Sequence, residues 1–260
     1  MPIPLSKVVR VVLAPNPGPM TLDGTNSYVL GAPGFGSVVI VDPGPRNAGH
    51  VDELVGSGAV DLILITHFHD DHTGASAELH RRTGAPVRAF DPAFCIEGQP
   101  LSDGEVIDAA GVRLTVVATP GHSADSVCFV VDAEKNPGII LTGDTILGSG
   151  TTVIARPDGS LAAYLSSLRR LRELGSLTVF PGHGPTLPDL NTVSGEYLEH
   201  RLRRLEEVRS ARGTLGAGAS ISAVTDMVYP DIDPSVRFAA EYSVEAQLEY
   251  LASAENGVPG

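Results

Sequence analysis

Through roughly the first 190 residues, short apolar and β-branched runs recur, each bounded by Gly, Pro or Asp. Residues 8–13, 27–30, 38–41, 62–66, 87–89, 113–118, 127–131, 139–142 and 177–180 are read as strands on this pattern. Helical spacing is interleaved over 48–56, 75–83 and 161–174, the last with Leu161, Leu165, Leu168 and Leu171 on one stripe. Strands mixed with helices that can cover them predict a layered α/β architecture. Beyond Pro188 the texture changes. Residues 197–212, 221–228 and 234–254 read as helices, separated by GTLGAGAS and YPDIDP, and nothing from Gly195 onward reads as a strand. The pattern divides the chain into a mixed domain, 1–191, and a small helical appendage, 192–260.

Several of these strands end in polar loops where most loops carry only turn formers: VDPG (41–44), THFHDDH (66–72), TPGHS (119–123), TGD (142–144) and FPGHG (180–184). Active sites of layered α/β folds are commonly built from such loops at one sheet edge. Five of the eight histidines stand in them: His67, His69, His72, His122 and His183. His50, His80 and His200 fall within predicted helices or at their starts and read as ordinary surface or helix-end residues.

In extended backbone, residues two apart point to the same side, so His67 and His69 can grip one ion together. If the chain then turns into a helix near Gly74, Asp71 and His72 are carried to a neighbouring position, where they can hold a second ion. His122, His183 and Asp144 arrive from other strand ends to close the spheres. Imidazole and carboxylate suit zinc, with iron or manganese as substitutes. Without a cation, carboxylates crowded in a concave site are costly. Asp70 occupies the variable place in the run and reads as solvated.

Composition adds limits. A chain of 260 residues, 42% apolar and 19% charged, can bury a sizeable core. Its formal charge of −13 repels phosphate backbones and acidic membrane surfaces at long range. Cys95 and Cys128 form no ligand-like pair and read as reduced thiols. The first apolar patch is short and carries charges, and no run reaches the roughly 18 apolar residues of a membrane span, so no membrane partner is expected and the cytosol is the expected compartment.

THFHDDH followed by PGHS, TGD and PGHG resembles the metallo-β-lactamase-fold hydrolases, across residues 8 to about 190. NPGPMTLDGTNSYVL (16–30) and GDTILGSGTTV (143–153) are similar to the branch of the β-lactamase-like-2 endoribonuclease and its bacterial relatives. The resemblance implies an αββα sandwich with a winged-helix-like C-terminal part, although the chain closes on LASAENGVPG, which leaves that wing short or absent. It also implies two Zn²⁺: one held by His67, His69 and His122, the other by Asp71, His72 and His183, with Asp144 between them and Asp42 bracing a ligand from behind. Asp71 has a second implied role, orienting the attacking water and carrying its proton.

Such a pair of ions brings four positive charges; Asp71, Asp144 and a bridging hydroxide return three, so a substrate that gains negative charge during attack is favoured. The expected activity is hydrolysis of an ester, thioester or phosphodiester by that hydroxide. A single-strand endoribonuclease is the alternative, and a metal-containing binding protein without turnover is a second one. Asn26, Tyr28 and Thr152 are candidate substrate contacts, with Tyr28 equally readable as core. Arg201, Arg203, Arg204, Arg209 and Arg212 are candidate phosphate contacts, although their interspersed glutamates also fit a solvated helix face. An aspartate at 144, where the commonest zinc β-lactamases carry cysteine, argues against antibiotic hydrolysis as the main activity. The expected partner is a small molecule or RNA, and the sequence leaves the oligomeric state open between monomer and homodimer.

Overall fold

The apolar runs pair into two mixed sheets in a computed structural model that describes residues 3–132 and 138–255. The first sheet contains β1 (Ile3–Pro4), β2 (Val9–Leu13), β3 (Asn26–Leu30), β4 (Ser37–Val41), β5 (Ala59–Leu64) and β6 (Val87–Arg88), side by side in chain order. The second contains β7 (Val106–Ala109), β8 (Val112–Ala118), β9 (Val127–Val131), β10 (Gly138–Gly143) and β11 (Leu177–Pro181), in the order β11-β10-β9-β8-β7. β4, β5 and β6 run parallel, as do β10 and β11, and the other neighbours are antiparallel.

Alternation along each strand explains why the runs are apolar almost throughout. Tyr28, Leu30, Val39, Val41 and Leu64 of the first sheet meet Leu114, Val116, Phe129, Leu141 and Phe180 of the second in one buried cluster. Their neighbours Val29, Ile40 and Ile63 face the other way and join Val51, Leu54 and Leu79. Those last three belong to α1 (Ala48–Val55) and α3 (Ser76–Thr83), which cover that face; between them lies the single turn α2 (Asp70–Thr73). The far face of the second sheet is buried too, at Val117, Cys128, Ile140 and Val179.

The described chain forms two compact units. One takes residues up to Ala118, Asp125–Gly150 and Ser176–Leu190; the other takes Thr119–Ala124, Thr151–Gly175 and the chain from Asn191. One junction falls between Leu190 and Asn191, and two earlier segments are grouped with the C-terminal helices. That second unit holds α4 (Leu161–Glu173), nearly all of α5 (Leu190–Leu215), α6 (Ile221–Val228) and α7 (Arg237–Glu255). The stripe Leu161, Leu165, Leu168 and Leu171 is buried. Helix α5 starts well before residue 197 and runs through Gly195, because one glycine costs a helix only about 1 kcal/mol.

Two strands escape the sequence pattern. β1 is two exposed residues, and β7 is an edge strand in which only Ile107 is buried, so neither carries an apolar run. β5 begins earlier than residue 62 and ends at Leu64, leaving Thr66 outside the ladder. Both cysteines are free thiols, Cys128 buried and Cys95 half-buried. Among the described residues no helix is long and apolar enough to cross a membrane.

His50 corrects the surface reading. It lies in the first turn of α1 but is only 4% exposed, with Nε2 at 2.8 Å from Ser27 Oγ. Burial pushes its pKa down from 6.5 to about 4, against a weaker upward pull from Glu53. The folded state thus holds a neutral imidazole, while the unfolded chain takes up a proton once the pH falls below about 6.5. Stability linked to this group is complete above that value and is lost progressively down to about pH 4. In urea titrations, wild type should lose roughly 3 kcal/mol more than His50→Gln on going from neutral pH to about pH 4; equal losses would show that His50 titrates normally.

Candidate metal centre

The centre of the first unit is organised by a carboxylate almost closed off from solvent. Asp42 follows β4 in a left-handed turn (φ 54°), and the residue is 1% exposed. Oδ1 accepts from the Thr66 N–H at 2.8 Å, while Oδ2 accepts from the Thr66 hydroxyl at 2.7 Å and from His72 Nδ1 at 2.8 Å. Three donors satisfy a charge that would otherwise be costly to bury. They also determine tautomers. With Nδ1–H of His72 given to Asp42, the lone pair of that ring sits on Nε2. The Thr66 hydroxyl, having donated to Asp42, can only accept at 3.1 Å from His67 Nδ1, which leaves His67 with its lone pair on Nε2 as well. His183 Nδ1 donates to Gly24 O at 3.1 Å, with the same consequence.

The predicted turn into a helix occurs a few residues early, at α2. Thr73 Oγ1 donates to the carbonyls of Phe68 and His69, both at 3.0 Å, and the short turn brings Asp71 and His72 round together. Asp144 follows β10 and His183 follows β11, neighbouring strands of the second sheet. Four ligand atoms converge. His72 Nε2 is 3.2 Å from His183 Nε2, 3.6 Å from Asp71 Oδ2 and 3.4 Å from Asp144 Oδ1. His183 Nε2 is 3.1 Å from Asp71 Oδ2 and 3.4 Å from Asp144 Oδ1. A tetrahedral ion with ligands at about 2.0–2.1 Å requires edges of about 3.3–3.4 Å between them. The donor set and its spacing fit such an ion. Two imidazole nitrogens, each carrying a lone pair, have no reason to lie 3.2 Å apart unless a cation or a proton sits between them.

His67 and His69 adjoin this cluster: His67 Nε2 is 2.9 Å from His69 Nδ1, and the His67 and His72 ring centres are 4.2 Å apart. His122 belongs to the second unit, where Val153 O accepts from its Nδ1 at 2.7 Å and Thr152 Oγ1 lies 3.0 Å from the same nitrogen.

Charge follows the geometry. Burial alone would lower the His72 and His183 pKa values, but Asp42 and Asp144 outweigh it for His72, which stands well above the usual range, and Asp144 and Asp71 for His183, raised to about 9. Burial opposes ionisation of Asp71 and Asp144, yet His183 and His72 hold both carboxyls below their ordinary values. Cation binding there displaces protons from the two imidazoles.

A family model described as the metallo-beta-lactamase superfamily matches residues 20–183. The chain belongs to that superfamily. It is 32% identical over 260 residues to a protein described as a beta-lactamase-like protein 2 homolog from Caenorhabditis elegans, covering 95% of this chain and 85% of that protein. It is 34% identical over 271 residues to an atrochrysone carboxyl ACP thioesterase of Aspergillus novofumigatus, covering 98% of this chain and 80% of that one. The crystal structure of a metallo-beta-lactamase family protein from Thermus thermophilus superposes with a TM-score of 0.79 at 25% identity, covering 97% of this chain and 95% of the other. The two mixed sheets with their helices are thus the α/β fold of the superfamily.

Within that fold, the three candidate substrate contacts sit behind the ligands. Asn26 Nδ2 donates to Pro181 O and Gly184 O, each at 2.9 Å, and the Tyr28 hydroxyl donates to Pro181 O at 2.7 Å. Both side chains are buried, and Tyr28 stacks on Phe180 in the intersheet core. They fasten the turn carrying His183. Thr152 is 3% exposed, with Oγ1 3.0 Å from His122 Nδ1, so all three side chains expected to meet a substrate are buried and engaged within the protein.

Gly182 is a requirement that ligand spacing alone does not reveal. A Cβ there would lie 2.6 Å from Asp144 Oδ1 and 2.8 Å from His72 Cε1, closer than such contacts occur. Asp70 is solvated, as its place in the motif suggests. Of the candidate phosphate contacts, Arg203, Arg204 and Arg209 pair with glutamates of their own helix, and Arg201 is buried.

Asp42→Asn keeps the shape but weakens the hold on His72. Metal affinity, measured by competition with a chromogenic chelator, should fall about 10–100-fold in this variant, with the far-ultraviolet dichroism unchanged; wild-type affinity would show that the Asp42–His72 contact does not tune the centre.

Proposed function

We propose that this chain is a metal-dependent hydrolase that uses water to cleave a carboxylic ester or thioester. The convergence of His72, His183, Asp71 and Asp144, with ligand atoms 3.1–3.6 Å apart, carries the reading. In the assignment we favour, His67, His69 and His122 would hold one Zn²⁺ and Asp71, His72 and His183 a second, with Asp144 available to both; iron or manganese would suit the same donors. Bound ions of this kind lower the pKa of water from about 16 to about 7 and polarise the carbonyl under attack.

The remaining roles belong to side chains. Asp71 and Asp144 stay ionised, so they offset part of the cationic charge and leave a surplus suited to an oxyanion. Asp71, the more exposed of the two, would orient the attacking water through its carboxylate. Asp42, Thr66 and the Gly24 carbonyl keep the imidazoles in the ligating tautomer.

Two features support an acyl substrate over RNA. A relative sharing 34% identity is named a thioesterase. The arginines of α5 that would grip phosphates are engaged with glutamates at Arg203, Arg204 and Arg209, and such pairs offer little charge to a polyanion.

The test uses metal-loaded protein against an acyl thioester, an aryl ester, a single-stranded RNA and a chromogenic β-lactam. Thioester or ester turnover should dominate, be abolished by chelation and return with Zn²⁺. His67→Ala and Asp144→Ala should each reduce it to background and lower the bound metal while the fold persists. No turnover of any of the four substrates would end the hydrolase reading, and salt-sensitive RNA cleavage alone would replace the substrate class.

A further inference from the structure

Arg201, in the middle of α5, is set apart from the other arginines of that helix. It is 3% exposed, and no carboxylate pairs with it among the described residues. Its terminal nitrogen donates to the Thr152 carbonyl, its guanidinium lies 5.2 Å over the Tyr164 ring, and its Nε has no hydrogen-bond partner. A buried charge held by one carbonyl and one aromatic face is an expensive way to fill space. A methionine or leucine of similar size would pack there at lower cost. The contact it makes therefore points to another purpose.

That contact leads to His122 within the same unit. The Thr152 carbonyl accepts from Arg201, the next carbonyl, Val153 O, accepts from His122 Nδ1, and the Thr152 hydroxyl oxygen lies 3.0 Å from that same N–H. Tyr164 carries the second connection. Gly121 packs so closely on the Tyr164 backbone that a Cβ would lie 2.4 Å from Tyr164 Cα. The rest of the turn is tied down from the same side: Ser167 Oγ donates to Pro120 O, the Ser160 N–H to Gly121 O, and the Ala124 N–H to Asp158 Oδ2. Arg201 thus touches two residues next to His122's supports: Thr152, whose neighbour Val153 accepts the Nδ1–H, and Tyr164, whose backbone the Gly121 turn packs against.

We propose that Arg201 is a positioning residue for His122: from α5 it holds the Thr152 carbonyl, in the 152–153 segment that fixes the orientation and tautomer of the His122 ring. This rests on the reading of His122 as a ligand. It removes Arg201 from any phosphate-binding face. The planar fork of arginine, which donates while its face lies on a ring, is not reproduced by lysine.

The experiment compares wild type with Arg201→Met, Arg201→Lys and, should Arg201→Met fail to fold, Thr152→Val. Nitrogen-15 shifts of the histidine rings are recorded in metal-free protein, and Zn²⁺ affinity is measured per equivalent by chelator competition. In Arg201→Met the His122 ring should lose its fixed Nδ1–H form while the His72 ring signals stay unchanged, and one of two Zn²⁺ equivalents should weaken about tenfold or more. Arg201→Lys should recover part of that affinity. Thr152→Val should disturb the His122 ring in the same direction. An unchanged His122 tautomer with both equivalents at wild-type strength would overturn the proposal. Wild type that binds no metal, yet shows the ring change in Arg201→Met, would overturn the ligand reading and with it this role, while leaving the contact itself demonstrated.

Discussion

Buried carboxylates and imidazoles are tolerable only where each charge has a partner, and that constraint governs the heart of this molecule. Asp42 meets it with three donors. Asp71, Asp144, His72 and His183 meet it by facing one another at spacings close to the edges of a small tetrahedron. Protons can occupy that space, which is why His183 is raised to about 9. A divalent cation satisfies all four atoms at once and leaves none with two lone pairs opposed.

The architecture supplies rigidity where that balance needs it. Strands apolar on both faces cannot shift register without exposing a whole row, so the residues just beyond their ends are held in place. Asp42, Thr66, Asp144 and Gly182 all occupy such positions, beyond β4, β5, β10 and β11. Asn26 and Tyr28, from the start of β3, tie down the turn after β11 through the Pro181 carbonyl. Gly182 leaves room for that turn to pass beside Asp144 and His72.

Much of this was legible in the chain because ligands are local in sequence and strands announce themselves by composition. THFHDDH places its polar residues directly after an apolar run, and the later loops repeat the arrangement. What escaped has a common cause. The burial of His50 depends on Ser27, distant in sequence, and the burial of Arg201 depends on Thr152 and Tyr164. Asn26, Tyr28 and Thr152 were legible as part of the site, but whether they face solvent or a carbonyl is decided by contacts across the fold. β1 and β7 carried no signal because edge strands need little apolar surface. The interleaving of the two units was hidden for a related reason: residues 119–124 and 151–175 are ordinary in composition and reveal their allegiance only through packing.

X-ray absorption at the zinc edge of the reconstituted protein tests the central claim most directly. The account predicts a first shell of nitrogen and oxygen alone at about 2.0–2.1 Å, with imidazole multiple scattering and no sulfur. A shell of water oxygens without imidazole, or one containing sulfur, would contradict it.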